Sequence, residues 1–426
     1  MFHNPPEDTK SHYDRRRLLA QQRPLHPNLT LATELLHELR FVAMREQVRA
    51  AIGCIVANAL LAHWHGDNIW VFYSRDNTHY AVVRAGVPSW YSRSAVVTAV
   101  DQLTASGLLE ERRTAPSPSA RYRSTFRSTP RLIHAIGPAD VSNLRWPHTP
   151  PVILRSRDDR RTLNAVAALT DAEFAEFTHI GADVERHNAF LSAFDARLDH
   201  DAAEVLPSGL VKVGDTYLNP ALRCYHRVFN GDLNHGGRWY GPWWQAVPSA
   251  VRPRLLIDGE PTIELDFAAC QLRLMFARLG LPDPLAGAIR IAGPALDLYT
   301  IAGVARDDVK LALLIMINAR SMQVARQALA AKLICEPGTN RRREAARILS
   351  TVQRHFPQLK ELWFSELGLR LQRIDSDICA TIHQRMRAQT LPVLSVHDGF
   401  ITWTRAEPQL RIVMQEAFER AGKDAM

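Results

Sequence analysis

The sequence predicts an α+β protein on three observations. Stretches with apolar residues every three to four positions, Leu31 to His65, Ser92 to Ser106 and Leu163 to Leu198, read as helices. Short β-rich runs closed by tight-turn signals, clearest around Asp258-Gly259 and Asp398-Gly399, read as hairpins. The 426 residues, 46% hydrophobic and 23% charged, have an ordinary globular balance that excludes wholesale disorder or a coiled coil. At ~150 residues per domain, that length suggests two or three domains.

The longest clean apolar run, Leu311 to Ile317, falls short of the ~18 residues a membrane span needs. No membrane partner is expected. The five cysteines are scattered, without spacing suited to zinc or a disulfide framework. The first residues lack an apolar core followed by a cleavage site, so a cytoplasmic setting is the simple expectation. The net charge of +8 suits a protein that handles polyanions. Only six of the 52 basic residues are lysine. That bias fits phosphate-gripping guanidinium forks, and equally a GC-rich coding sequence.

In chain order, residues 1–30 read as a mobile tail and Leu31 to His65 as helical. Asn68 to Tyr73 and Tyr80 to Arg84 read as short strands, and Ser92 to Ser106 as an amphipathic helix stopped at Gly107. The run SRSAVVTAVDQLTASGLLEERR, followed by the basic SARYRSTFRSTPR, looks like a winged helix-turn-helix. Such modules put a helix in the major groove and a basic wing on phosphate, or else mediate protein contacts. Arg93, Arg121, Arg123 and Arg127 are the candidate nucleic-acid contacts. Residues 136 to 160 are Pro-rich and read as a linker or a lone strand, before helical patterns return at Leu163.

Chemistry begins after about residue 222. Leu255 to Ile257 and Thr262 to Phe267 form a hairpin about Asp258-Gly259, and Asp266 ends its second strand. A carboxylate before a nearly all-apolar helix is either that helix's N-cap or a ligand for a cation. His397-Asp398-Gly399 sits at a strand–turn–strand tip, which is a bland hairpin signal or a second carboxylate for the same cations. Between them, Arg306, Lys310, Leu314 and Asn318 recur every four residues as one stripe opposite a buried side of Leu311, Leu313, Ile315 and Ile317. The stripe is a solvated basic face, or a grip on a triphosphate.

Taken in order, these segments resemble the palm and fingers of family A polymerases. That group holds bacterial DNA polymerase I and the phage-type single-subunit RNA polymerases. Their first palm motif, D-Y-S-Q-I-E-L-R in the DNA enzymes, is matched by D-F-A-A-C-Q-L-R from Asp266 to Arg273. Their fingers helix places Arg and Lys one turn apart, with an aromatic two turns further on; Arg306, Lys310 and Asn318 hold those places. Their closing His-Asp motif is His397-Asp398, and their Q-G-T-A-A-D-I is similar to Q-R-I-D-S-D-I from Gln372 to Ile378. Upstream, H-G-G-R-W-Y-G-P-W-W-Q-A-V-P (His235 to Pro248) is similar to the stretch that touches template and primer.

The resemblance implies a polymerase-like palm sheet with helical fingers at 225–426, the fingers at about 285–360, and leaves 163–224 as a helical, reduced thumb-like region. The N-terminal winged-helix-like domain, read from its own residues, is expected at 31–135, with 136–162 as the linker. Asp266 and Asp398, with the carbonyl of Phe267, would ligate two Mg²⁺ ions, for which Mn²⁺ is a substitute. Arg306 and Lys310 would hold a nucleoside triphosphate, with Asn318 and Gln271 beside it. His397 and Gln372 would lie along the nucleic-acid end that carries the attacking hydroxyl. Arg238, Trp239, Trp243 and Gln245 would contact the DNA or RNA strand, though the aromatics also suit core packing. Gln271 replaces the family's sugar-gating Glu and Asn318 its fingers Tyr, which leaves the choice of sugar and of template open. The expected activity is nucleotide addition to a 3′ end, or priming, with release of pyrophosphate. The alternatives are a catalytically inactive nucleic-acid-binding regulator or replication initiator, and an untemplated nucleotidyltransferase.

Overall fold

The computed structural model describes residues 22–39, 45–66, 69–81, 87–113, 124–146, 149–156, 166, 169–285, 289–291, 297–334, 336 and 338–424. They form an α+β protein of two units, one drawn from 1–149 with 203–221, the other from 150–202 with 222–426.

In the first unit, β1 (Gln22–Pro24), β2 (Thr30–Leu31) and α1 (Thr33–Glu38) lead into α2 (Glu46–Trp64). Every residue of α2 from Ala51 to Ala62 is buried, as expected of a helix that is apolar all round. Then come β3 (Trp70–Tyr73), α3 (Asn77–Ala81), α4 (Arg93–Ala105), β4 (Leu109–Arg112), β5 (Ser124–Ser128), α5 (Pro130–Ile136) and β6 (Leu144–Arg145). The sheet order is β1-β3-β5-β4, and β2 pairs with β6. The helix expected at 92–106 is there: Ser92 accepts from Ala95 N at 3.2 Å, and Gly107, at φ 72°, ends it. Two expectations are corrected. The described part of the presumed tail is built in, since β1 pairs in parallel with β3 and Leu29 is fully buried. The run from Tyr80, read as a strand for its β-branched residues, opens instead inside α3.

The chain next contributes β7 (Val152–Arg155), α6 (Asp171–Leu191) and β8 (Ala196–Leu198) to the second unit, then returns to the first for β9 (Glu204–Val205), β10 (Val211–Val213) and β11 (Thr216–Leu218). The stretch expected to be a linker and a helical thumb-like region is therefore shared between the units. It holds one long helix, α6, opened by a capping box between Thr170 and Glu173, and a small antiparallel sheet.

The second unit continues with β12 (His226–Asn230), β13 (Asp232–Tyr240), β14 (Leu255–Ile257), β15 (Glu260–Phe267), α7 (Cys270–Arg278), β16 (Ile289–Ile291), α8 (Arg306–Asn318), α9 (Met322–Lys332), α10 (Arg341–His355), α11 (Gly368–Ala388), β17 (Leu394–Val396), β18 (Gly399–Trp403) and α12 (Glu407–Asp424). One sheet runs β17-β18-β15-β14-β8 with β16 also on β15, and a second runs β13-β12-β7. Asp258 (φ 52°) and Gly259 (φ 78°) both take left-handed angles, the two-residue turn that an Asp-Gly pair favours. Helix α11 packs along β13, and α8, α9 and α10 pack on one another.

Candidate active site

Asp266 and Asp398 are delivered to neighbouring strands at one end of the sheet. Asp266 stands opposite Gly399 across the β15–β18 ladder, and Phe267 N donates to Asp398 O at 3.4 Å. Asp398 is the second of two turn residues in the β17–β18 hairpin, where Val396 pairs with Gly399 and His397 takes φ 58°. Both aspartates are half-buried and His397 is exposed. Asp266 is not a helix cap. Helix α7 starts at Cys270 after a left-handed Ala269 (φ 50°), with no side-chain cap.

A third carboxylate joins them. Asp375, on α11, is 4% exposed and bonded through Oδ2 to Nε (3.2 Å) and Nη2 (3.1 Å) of Arg238. Burial, and next the charge of Asp398, push its carboxyl up to about 6, while Arg238 pulls the other way. The Cys270 Sγ lies 3.8 Å from Asp375 Oδ1. Its thiol is held protonated by burial and by the charges of Asp375, Asp398 and Asp266 together. A fourth acid, Glu264, sits two residues before Asp266 on β15 and bonds Arg252 at 3.1 Å. A Cβ at Gly399 would come within 3.0 Å of Glu264 Oε1, so a side chain there would crowd that carboxylate.

Sequence reasoning missed Asp375, although a signal existed. It lies in the apolar stripe of α11 with Leu371, Ile378, Cys379 and Ile382, where an acid is costly without a partner. The matched aspartate of Q-R-I-D-S-D-I, Asp377, is instead bonded to Arg227 (2.8 Å) and Arg373 (2.6 Å). Gln372, one turn before Asp375, is half-buried, as is Gln271 at the start of α7.

The expected strand-contacting aromatics are corrected. Trp239 and Trp243 are each 3% exposed, so neither ring is a stacking surface for bases. Trp239 Nε1 donates to Ser376 O at 3.2 Å, and its ring meets His383 edge-on at 4.5 Å. Gln245 turns inward, its Nε2 donating to Trp239 O (3.0 Å) and Ser395 O (3.1 Å). The Tyr225 hydroxyl accepts from Trp244 Nε1 (2.8 Å) and Ser395 N (2.7 Å). These groups brace the hairpin that carries Asp398. Arg238 is bonded to a carboxylate of the cluster rather than left open for phosphate.

On α8 the stripe Arg306, Lys310, Leu314 and Asn318 is exposed, as expected. The opposite side is corrected slightly: Val309, Ala312 and Met316 are buried along with Leu313, Ile315 and Ile317, while Leu311 is half-buried. Arg306 bonds Asp297, and its guanidinium carbon lies 5.4 Å from the Tyr299 ring centre. Burial, then the charge of Asp398, push the Tyr299 hydroxyl up to about 12. Asn318 Nδ2 donates to Leu314 O at 2.8 Å, and Asn318 packs tightly on Gly368.

In the first unit, Arg93 is exposed and donates to Arg75 O at 2.7 Å. Arg127 bonds Glu110 (2.7 Å) and, with Arg112, covers the Trp70 ring at 4.7 and 3.9 Å. Arg121 and Arg123 lie outside the described residues.

Among the described residues no group of three or more His, Cys, Asp or Glu side chains is disposed to hold one metal ion. No helix there is long and apolar enough to cross a membrane. No protein-family model matches the chain, and no curated protein matches it.

Proposed function

We propose that the protein is a metal-dependent nucleotidyltransferase with a family A-like palm and fingers, preceded by a winged-helix module that recruits DNA or RNA. One observation carries the reading: the β15–β18 register sets Asp266 beside the turn that holds Asp398, with the charge of Asp398 acting on buried Asp375. In the first unit, the order α2, β3, α3, α4, β4, β5, with β3 and β4 both pairing β5, supports the winged-helix assignment.

The donor set suits a hard cation. Carboxylate and carbonyl oxygens are Mg²⁺ and Mn²⁺ ligands, and Asp375 is raised first by its burial and then by the neighbouring charge of Asp398. Asp266 and Asp398, with the Phe267 carbonyl, would hold the ions. Bound ions supply charge stabilisation at the phosphoryl oxygens and a lower pKa for the attacking hydroxyl. The chain's own groups do the rest. Lys310 binds the triphosphate as a point charge, and Arg306 does so by exchanging Asp297 for phosphate. Arg238 keeps Asp375 ionised and oriented. Gln271, Gln372 and His397 offer hydrogen bonds to the nucleotide and the primer end. The Asn318 amide is committed to its own helix, so Tyr299 is the aromatic available near the nucleotide.

The test is incorporation of labelled nucleotide by the purified chain with Mg²⁺ or Mn²⁺, from dNTPs and NTPs, with and without template. Asp266→Asn and Asp398→Asn should each abolish it, and activity that survives both refutes the assignment. A catalytically inactive nucleic-acid-binding protein is the second reading, favoured by the two arginines already neutralised, Arg238 by Asp375 and Arg306 by Asp297. It predicts no Mg²⁺-dependent thermal shift with a nucleoside triphosphate.

A further inference from the structure

The second unit distributes its arginines unevenly. Around its sheets they are matched by acids: Arg227 with Asp377, Arg252 with Glu264, Arg273 with Asp283, Arg387 with Asp183 and Arg405 with Glu260. From residue 306 to 362 there are eleven Lys and Arg against five Asp and Glu, a net +6 out of the chain's +8. Among the described residues, only Arg306 and Arg347 of those eleven are seen in an ion pair.

Helix α10 concentrates this charge. Ala345, Ile348, Leu349 and Val352 are buried, forming the side turned to the neighbouring helices. At 3.6 residues per turn, Arg343, Arg347 and Arg354 fall within about 40° of one another on the opposite side. Arg341 and Arg342 extend the exposed surface at the helix start. The stripe's guanidinium groups recur at ~6 and then ~10 Å along the axis. A row of charges at that spacing can follow the regularly repeated phosphates of a nucleic-acid strand. A lipid surface fits less well, because an interfacial helix turns its apolar side outward and α10 turns its own inward.

We infer that the outward face of α10 is a phosphate-tracking surface for single-stranded nucleic acid, replacing the contacts that sequence reasoning gave to Trp239, Trp243 and Gln245. The inference rests on the nucleic-acid partner of the proposed function but not on its chemistry. The test is binding of oligothymidylate to the full chain in EDTA, across a salt series. Single strands give a slope of about −0.7 per phosphate contact in log K against log salt. Arg342→Gln, Arg343→Gln and Arg354→Gln together should flatten the slope by about 2 and weaken binding at least tenfold. The same charge removed at Arg197, Arg278 and Arg405 should change it little.

A photoreactive oligonucleotide on the unaltered chain should cross-link within residues 341–355, which checks the surface without any substitution. An unchanged slope, cross-links confined elsewhere, or binding to equimolar phosphatidylserine–phosphatidylcholine vesicles but not to oligothymidylate would each overturn the inference. Asp266→Asn with Asp398→Asn should bind as the unaltered chain does. Binding without nucleotide incorporation would therefore refute the transferase reading alone.

Discussion

Asp375→Asn turns the acidic cluster into a stability measurement. The Asp375 carboxyl is raised from 3.8 to about 6. At ~1.36 kcal/mol per pKa unit, the ionised form costs the folded state about 3 kcal/mol. The sign follows from proton binding. Below pH 3.8 both folded and unfolded chains are protonated and nothing is lost. Between 3.8 and 6 the folded chain alone keeps its proton, so stability falls as pH rises. Above 6 the whole cost is present. Asparagine copies the neutral acid, and the shift to about 6 already includes the opposing pull of Arg238. The variant should therefore be more stable than the parent by up to about 3 kcal/mol near pH 7.5, and by well under 1 kcal/mol near pH 4. Urea unfolding followed by tryptophan fluorescence at both pH values, in EDTA, reads this difference. Adding Mg²⁺ should stabilise the parent and the variant alike, since both keep Asp266 and Asp398 and a ligand stabilises the state that binds it. A variant less stable than the parent near pH 7.5, or an offset that ignores pH, would refute the reasoning.

Two further predictions concern the buried groups behind the site. His187 and His383 stack at 3.8 Å between ring centres, and neither nitrogen of His187 has a hydrogen-bond partner among the described residues. Burial, with Arg387 opposed by Asp183, drops His187 to about 3, so the unfolded chain takes up protons first as pH falls below 6.5. This histidine alone should withdraw about 5 kcal/mol between pH 6.5 and 3. His187→Phe should move the acid-unfolding midpoint, followed by circular dichroism, to lower pH; an unmoved midpoint contradicts the assignment. Gly237→Ala should cost at least about 2 kcal/mol, because left-handed backbone is unfavourable for alanine. At Gly237 (φ 79°) a Cβ would also meet Phe229 Cε1 at 2.7 Å and Ser376 Oγ at 2.9 Å. Thermal unfolding measures it, and a neutral result would show that β13 can shift away from α11.

What was legible in the sequence was local. Asp-Gly at 258–259 calls for a two-residue turn whatever lies around it, and the Ser92 and Gly107 signals bound a helix by their own hydrogen bonds and φ preference. The four-residue spacing of Arg306, Lys310 and Asn318 kept them on one exposed face because a helix of that length has a fixed period. What stayed hidden depends on contacts distant in the chain. Gln22–Pro24 has no strand pattern of its own and is ordered by pairing with Trp70–Phe72. The excursion of 150–202 into the second unit is fixed by β7 lying parallel to β12 and by β8 pairing with β14, neither of which leaves a local trace. The aromatics at 239–244 looked like a surface because polar and glycine residues surround them, yet the Ser376 carbonyl and the Tyr225 hydroxyl accept from the indole N–H groups of Trp239 and Trp244 in the interior. Asp375 was not picked out, since spacing cannot tell a carboxylate turned into an acidic cluster from one such as Asp377, neutralised by two arginines.

The same division explains why the aspartates and their supports look so different. Asp266 and Asp398 are half-buried, able to meet a solvated ion or phosphate, whereas the groups that hold the Asp398 hairpin are buried and nearly all hydrogen-bonded. The Tyr225 hydroxyl both accepts from Ser395 N and donates to Ser395 O, at 2.7 and 3.0 Å, and Gln245 adds a bond to the same carbonyl. Ser395 is three residues from Asp398, so any tilt of the hairpin must break buried bonds with no water at hand to replace them. Two carboxylates that repel each other cannot keep their own spacing; the brace must keep it for them. Trp239 and Gln245, expected to contact nucleic acid, therefore matter to the proposed chemistry through where they and Tyr225 hold Asp398.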